Sequence, residues 1–188
     1  MALRSHAKHA LHKIVVPSPK LDFAESIDLF SEISPGIYMG GTQDADSRLA
    51  TNTSAEGNAN HNRPSFYDDE KFQTVVTLYL WANPTGDGVK ELRLPFRDDY
   101  QINFDVNAMF SIVRDAHCDW SRGKRILVRC QAGQNRSGLV TALILMRDAK
   151  SAQEAIEIVR AGRNFGALNN PAFVDWLKAE PLDFWRQD

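Results

Sequence analysis

A cysteine and an arginine six positions apart are the residues of this chain best suited to covalent chemistry on phosphate. The segment RCQAGQNRSG places Cys130 before Arg136, with Gly133 between them and Ser137 directly after the arginine. A thiolate is a nucleophile, and the planar guanidinium of arginine pairs with two phosphate oxygens at once, which a lysine ammonium does not do. The spacing predicts a loop in which Cys130 attacks phosphorus while Arg136 binds the phosphate.

Residues 130–136, which we call the phosphate loop, have the composition needed to wrap an oxyanion. Such a loop turns several backbone N–H groups inward, and glycine permits the positive φ angles and the close chain approach that this requires. We predict that Gly133 occupies such a position. The predicted phosphate-binding residues are Gln131, Ala132, Gly133, Gln134, Asn135 and Arg136.

An apolar strand is predicted before the phosphate loop and an apolar helix after it. The pattern RILVR predicts a strand over residues 125–129, and LVTALILM predicts a helix that begins near Ser137. The positive end of that helix dipole and its unpaired N–H groups favour both a bound phosphate and the thiolate of Cys130. Ser137 either donates its hydroxyl to the thiolate when the phosphorylated cysteine breaks down or caps this helix, and the two roles are compatible.

Strands and helices alternate through the rest of the chain. The residue patterns predict strands over residues 37–39, 72–81 and 90–94, and helices over residues 106–120, 151–160 and 171–185. Ser151 and Glu154 match a capping box at the start of the second of these helices. This order predicts an α/β fold with a central mixed β-sheet flanked by helices.

The chain is predicted to consist of an N-terminal arm and one domain. Residues 1–32 are basic, with no acidic residue before Asp22, and we expect a loosely ordered arm there. Residues 33–188 are predicted to form the domain. Within it, residues 42–65 are rich in Asn, Thr, Ser and Asp and poor in large apolar side chains, which indicates a polar loop insertion that is either flexible or a lid.

Composition argues against several classes of function. The chain has 188 residues, 43% of them hydrophobic, and a formal net charge of −2, so it can bury a core but lacks the basic excess of nucleic-acid-binding proteins. Its 2 cysteines are too few for a disulfide framework. The chain contains no run of about eighteen apolar residues, which is the length that a membrane-spanning helix needs. We expect free thiols, a cytoplasmic location, and neither a nucleic-acid nor a membrane partner.

The phosphate loop resembles the signature loop of the protein tyrosine phosphatase superfamily, in particular that of its dual-specificity branch. The segment ALNNPAF is similar to the Asn-Pro segment before the last helix of that branch, and the pattern agrees in order and spacing from Ile37 to Leu177. The resemblance implies a dual-specificity phosphatase-like fold and a cysteine-dependent hydrolase of phosphate monoesters that uses no metal and no other cofactor. The arm and residues 42–65 lie outside it.

The same resemblance implies a general acid in a Pro-x-x-Asp pattern upstream of the phosphate loop. In LPFRDD, Pro95 is followed by Asp98, so Asp98 is the implied acid. One carboxyl group can give a proton to the leaving oxygen and later take a proton from the attacking water. The adjacent Asp99 is an alternative general acid. A further alternative is that both aspartates are only solvated charges on a loop.

One residue departs from the family pattern. The family usually has histidine immediately before the nucleophile, where it helps to order the loop, whereas this chain has Arg129. Arginine also donates hydrogen bonds and carries a fixed positive charge, so we expect activity to survive. Alternatively, Arg129 is a surface charge at the end of a strand.

Two other functions use similar residues. A pseudophosphatase binds phosphorylated partners without hydrolysing them, and Arg129 keeps this alternative open. A rhodanese-type sulfurtransferase also holds a cysteine in an anion-binding loop. The presence of Cys130, Arg136 and Asp98 together argues against a pseudophosphatase, because binding alone needs neither a nucleophile nor an acid. Asp98 and the placement of Arg136 favour a phosphatase over a sulfurtransferase.

The side chains at the variable positions of the phosphate loop are neutral, whereas lipid phosphatases tend to carry lysines there. Neutral residues suit a substrate with a single phosphate. We therefore expect a phosphoprotein substrate that carries phosphotyrosine, alone or together with phosphoserine and phosphothreonine.

Overall fold

The computed structural model describes residues 30–42 and 72–187. In this part of the chain the strands are β1 (Phe30–Ser34), β2 (Ile37–Gly40), β3 (Thr74–Thr77), β4 (Lys90–Arg93) and β5 (Ile126–Arg129). The helices are α1 (Val106–Ser121), α2 (Asn135–Arg147), α3 (Ala152–Gly162), α4 (Pro171–Ala179) and α5 (Leu182–Trp185).

The strands form a single mixed sheet in the order β1-β2-β5-β3-β4. Strand β1 is antiparallel to β2, and the other neighbouring pairs are parallel. Because the carboxyl ends of parallel strands meet at one edge, the segments after β2, β3, β4 and β5 emerge together. The central mixed sheet of the sequence prediction is confirmed, and this edge carries the phosphate loop.

Strand β5 lies in the middle of the sheet and is buried along its whole length. Ile126 and Val128 belong to the main core with the buried residues of the helices, whereas Leu127 joins a smaller cluster with Phe72 and Val75. This division follows from the alternation of side chains along a strand. The strand predicted over residues 125–129 is therefore confirmed as Ile126–Arg129, and it is buried.

Helix α2 is the central helix of the described fold. Its residues from Arg136 to Met146 are all buried, and it contacts the other four described helices as well as β2 and β5. A helix with so little exposed surface has its position set by packing on all sides. The start of α2, at the phosphate loop, is therefore held firmly in place.

Side-chain caps define the starts of α1 and α3. Asp105 accepts hydrogen bonds from the N–H groups of Asn107 and Ala108 at the start of α1. The capping box of Ser151 and Glu154 is present at α3, as predicted. Each cap satisfies N–H groups that lack partners within the helix.

The structure differs from the sequence prediction in four main places. Strand β1 (Phe30–Ser34) was not predicted: residues 30–32 of the predicted arm belong to it, because the strand completes an antiparallel pair with β2. The strand predicted over residues 72–81 is confined to Thr74–Thr77, the residues that lie in register with β4 and β5. Helix α2 begins at Asn135, two residues before Ser137. The last predicted helix is two helices, separated at Pro181.

The remainder of the predicted arm, residues 1–29, and residues 43–65 of the predicted insertion lie outside the described residues. Among the described helices, none combines the length and the apolar character that crossing a lipid bilayer requires.

Arg129, at the end of β5, is completely buried, so its interpretation as a surface charge is wrong. Its Nε donates to Thr77 Oγ1 at 3.0 Å, and its Nη2 donates to Glu91 Oε1 at 3.2 Å and to the carbonyl oxygen of Asn83. The guanidinium therefore joins three neighbouring segments at the edge of the sheet. A buried charge of this kind is tolerated because its donors have partners.

Replacing Arg129 by leucine is expected to lower the free energy of unfolding by about 3 kcal/mol, because it removes the buried donor to Thr77 and to the carbonyl oxygen of Asn83 and one of the two arginines that pair with Glu91. Urea denaturation measures this quantity. Arg114→Leu is the matched control: it removes an exposed arginine that pairs with Asp115, and we expect a change within about 0.5 kcal/mol. Equal effects of the two substitutions would contradict the structural role of Arg129.

Candidate active site

The phosphate loop connects the end of β5 to the start of α2 and is attached to the end of β2. The N–H of Cys130 donates to the carbonyl oxygen of Gly40 at 3.2 Å, and the N–H of Thr42 donates to that of Gln131 at 3.1 Å. These bonds prolong the pairing of β2 with β5 past the last residues of both strands. The first half of the loop is thus fixed to the sheet.

Gly133 has a φ angle of +66°, as the sequence predicted. A Cβ atom at this position would lie 2.4 Å from the carbonyl carbon of Gly40 and 2.4 Å from the nitrogen of Gly41. Both neighbours are backbone atoms that cannot move aside. Only glycine satisfies the conformation and the close approach together.

Helix α2 begins at the end of the phosphate loop without a side-chain cap. Gln134 occupies the N-cap position, and its side chain makes no capping hydrogen bond. Helix N-termini present unpaired N–H groups and the positive end of the helix dipole, a combination that binds anions. The start of α2 can therefore supply backbone donors to a phosphate.

The guanidinium of Arg136 is buried and held on one side by the protein. Its Nη1 donates to the carbonyl oxygens of Phe96, at 3.1 Å, and Leu78, at 3.4 Å. The ring of Tyr79 lies 5.5 Å from the guanidinium carbon. Its Nε is buried and has no hydrogen-bond partner among the described residues. With Nη1 anchored, the Nε and Nη2 side remains for a bidentate pair with phosphate oxygens.

The sulfur of Cys130 lies at the base of the site, beside a hydroxyl group. Its Sγ is 3.3 Å from the Oγ of Ser137, and both residues are buried. The cysteine is a free thiol. Ser137 lies in the first turn of α2, so its hydroxyl is placed to donate a hydrogen bond to a thiolate.

Asp98 and Asp99 lie in the acid segment, residues 95–99, which follows β4. The side-chain amide of Asn170 donates to Asp98 Oδ1 at 2.8 Å and to the backbone oxygen of Asp99 at 2.8 Å. The carboxylate of Asp99 instead accepts from the N–H of Tyr100 in the same turn. The two acids thus have different environments. The carboxylate of Asp98 is hydrogen-bonded to the start of α4, whereas that of Asp99 is hydrogen-bonded within its own turn.

Asn170 is a site residue that the sequence analysis did not assign. Its Oδ1 caps α4 by accepting from the N–H of Ala172, while its amide nitrogen holds the acid segment. An asparagine before a proline is a recognisable signal of a helix start. This signal predicts the helix cap. It does not predict the bond to Asp98, because that bond joins residues 72 positions apart.

The phosphate loop and the acid segment are connected through Asn135. Its Oδ1 accepts from the N–H groups of Asn169, at 2.8 Å, and Asn170, at 3.1 Å. Since Asn170 in turn holds Asp98, the position of the acid is set relative to the loop. The side chain of Asn135, predicted to bind phosphate, therefore supports the acid segment.

The other predicted loop residues occupy different environments. Gln131 and Gln134 are half-buried and Ala132 is exposed. Arg163 also contacts the loop and was not assigned from sequence: its Nε donates to the carbonyl oxygen of Gly133 at 3.1 Å. The carbonyl oxygen of Gly133 is thus directed at Arg163. The same bond brings a cation close to the loop.

The family model described as dual specificity phosphatase, catalytic domain, matches residues 56–180, more than half of the chain. The chain therefore belongs to this family. The match begins within the predicted insertion, so the last part of residues 42–65 is included in it. No curated protein matches the sequence of the chain.

Solved structures of phosphatases share the fold. Human DUSP28 has a TM-score of 0.59 and 22% identity, covering 80% of this chain and 90% of that chain. A mouse putative dual specificity phosphatase, solved with zinc tungstate, has a TM-score of 0.57 and 21% identity over 85% and 92% of the two chains. PTPMT1 in complex with PI(5)P has a TM-score of 0.58 and 20% identity over 85% and 96%. The predicted dual-specificity phosphatase-like fold is confirmed, and family and fold together support phosphatase function.

Proposed function

We propose that this protein hydrolyses phosphate monoesters through a phospho-cysteine intermediate on Cys130. The observation that carries the proposal is the contact between the Cys130 sulfur and the Ser137 hydroxyl, 3.3 Å apart, at the start of a helix whose first turn also carries the buried Arg136. A nucleophile, a donor for the departing thiolate and a phosphate-binding fork thus belong to one loop and the helix turn that follows it. This is the arrangement that covalent phosphoryl transfer requires.

In the first step the thiolate of Cys130 attacks phosphorus. The S–P bond forms as the P–O bond to the leaving group breaks, and Asp98 donates its proton to the leaving oxygen. Arg136 and the N–H groups at the start of α2 bind the remaining phosphate oxygens and stabilise their charge. Asp98 is preferred over Asp99 because Asn170 holds its carboxylate, whereas that of Asp99 is bonded within its own turn.

In the second step water attacks the phosphorus of the intermediate. Its proton passes to the carboxylate of Asp98, the S–P bond breaks, and inorganic phosphate forms. The departing thiolate accepts a hydrogen bond from the hydroxyl of Ser137. Cys130 and Asp98 return to their initial protonation states, so the cycle needs no further reactant.

We propose that the substrate is a phosphoprotein, with phosphotyrosine preferred or shared with phosphoserine and phosphothreonine. The loop side chains Gln131, Ala132, Gln134 and Asn135 are neutral, so Arg136 is the cation within the loop itself. One guanidinium and the N–H groups of one uncapped helix start match one phosphate. A cytoplasmic location suits this chemistry, because a reducing compartment keeps the thiol of Cys130 available.

The central experiment measures hydrolysis of an aryl phosphate in the presence of a chelator. We expect activity that the chelator leaves unchanged and that vanadate inhibits. Cys130→Ser should lower kcat at least about 1000-fold through loss of the nucleophile. Arg136→Lys should lower kcat/KM about 100-fold, because an ammonium does not reproduce the bidentate pair.

Asp98→Asn and Asp99→Asn form a matched pair. The first should lower kcat about 100-fold, the usual contribution of a general acid, and the second less than about threefold. A reversed order would move the acid role to Asp99. Retained phosphopeptide binding without any hydrolysis by the wild type would instead favour a pseudophosphatase.

The contact between Asn170 and Asp98 predicts a leaving-group effect. Asn170→Ser retains a good helix cap but is too short to hold Asp98, so the acid should be less well placed. We expect kcat/KM, which reports the first step, to fall about tenfold with phenyl phosphate, a poor leaving group, and less than about twofold with p-nitrophenyl phosphate, whose leaving group barely needs a proton. Equal losses of kcat/KM with both substrates would show that Asn170 does not act through proton donation by the acid.

A further inference from the structure

Four large hydrophobic side chains are strongly exposed in the part of the chain that the structure describes. They are Leu80, Trp81, Tyr100 and Phe165, with 55%, 46%, 79% and 82% of their surfaces exposed. They lie on three separate loops, each of which adjoins the phosphate loop or the acid segment. We call these four residues the apolar rim.

The first of the three loops carries Leu80 and Trp81 and directly follows the residues that contact Arg136. Leu78 accepts a hydrogen bond from the guanidinium of Arg136, and Tyr79 lies beside it. Two further arginines hold the other end of the loop: Arg93 donates to the carbonyl oxygen of Ala82, and Arg129 donates to that of Asn83. The loop is thus held at both ends while its two apolar side chains face solvent.

The second loop carries Tyr100, which directly follows the acid segment. The N–H of Tyr100 donates to the carboxylate of Asp99 at 2.7 Å, and Asn170 binds the backbone oxygen of Asp99. Tyr100 therefore lies two residues from the proposed acid, on a turn that is attached to the start of α4.

The third loop carries Phe165 and is bonded to the phosphate loop on both sides. Arg163 donates to the carbonyl oxygen of Gly133 at 3.1 Å, and the N–H of Leu168 donates to that of Gln134 at 3.3 Å. Phe165 is thus an exposed apolar residue on a segment that is hydrogen-bonded to the phosphate loop. Each of the three loops that carry the apolar rim is thus attached to Arg136, to the acid segment or to the phosphate loop.

We propose that the apolar rim binds apolar side chains that flank the phosphorylated residue of the substrate protein. This inference rests on the proposed function and specifies its substrate class: phosphorylated segments with large aliphatic or aromatic neighbours. Consecutive residues of an extended peptide are about 3.3 Å apart, so the two or three neighbours on each side of a bound phosphoresidue reach the border of the site. Burying exposed apolar surface there favours binding.

The charges of the three loops favour a peptide over an anionic membrane. Residues 80–88, 97–101 and 163–168 contain three acids, Asp87, Asp98 and Asp99, against two arginines, Arg97 and Arg163. Attraction to anionic lipids needs a clear basic excess close to the inserted side chains. Such an excess is missing from these described loops.

The test compares two phosphotyrosine peptides of equal length and net charge. One has Leu, Ile or Phe at the two positions on each side of the phosphotyrosine, and the other has Ser and Gly there. We expect the wild type to prefer the first peptide about tenfold in kcat/KM, and Phe165→Ser and Leu80→Ser each to reduce this ratio at least about threefold. Lys178→Ser, an exposed substitution on α4, should leave the ratio unchanged.

Binding of the same peptides to Cys130→Ser separates this proposal from the proposed function. If neither peptide is hydrolysed but Cys130→Ser binds the apolar one more tightly, the rim is supported and the phosphatase proposal fails. Equal affinities and equal rates would overturn the rim. Binding to phosphatidylcholine vesicles that Phe165→Ser abolishes, without any peptide preference, would also overturn it and assign the four residues to a lipid surface.

Discussion

The close contact between the backbone of Gly133 and that of Gly40 and Gly41 is the constraint on which the site depends. It places the middle of the phosphate loop against the end of β2, so that the chain must turn back toward the start of α2. Within that turn lie the Cys130 sulfur and the unpaired N–H groups of the helix. A side chain at residue 133 would push the phosphate loop away from the end of β2, because the atoms that it would meet belong to the backbone of Gly40 and Gly41 and cannot move aside.

Around this contact the fold uses polar side chains to join segments that are distant in sequence. Asn135 fixes the start of α4, Asn170 fixes the acid segment, and Arg163 fixes the far side of the phosphate loop. Arg129, which replaces the histidine usual in the family, is buried among β3, β4 and the segment that follows β3. It acts on the loop through the sheet, by holding the strand end from which Cys130 emerges.

The features that sequence predicted correctly depend on local residue types. The strand before residues 130–136 and the helix after them, the positive φ of Gly133 and the capping box at Ser151 each follow from residues within a few positions of one another. The bond from Asn170 to Asp98 and the burial of Arg129 depend on tertiary contacts, which local patterns do not contain. Likewise, the apolar run 72–81 indicates one long strand, but the strand is limited to Thr74–Thr77, which lies in register with β4 and β5.

The central claim is that Cys130 carries the phosphoryl group during turnover, and trapping that group tests it most directly. Ser137→Ala should slow the second step by removing the donor to the departing thiolate. Rapid acid quenching of this variant with an aryl phosphate, followed by mass spectrometry of its peptides, should find one phosphoryl group on Cys130. Continued turnover with Cys130 unmodified, or with the phosphoryl group on another residue, would contradict the account.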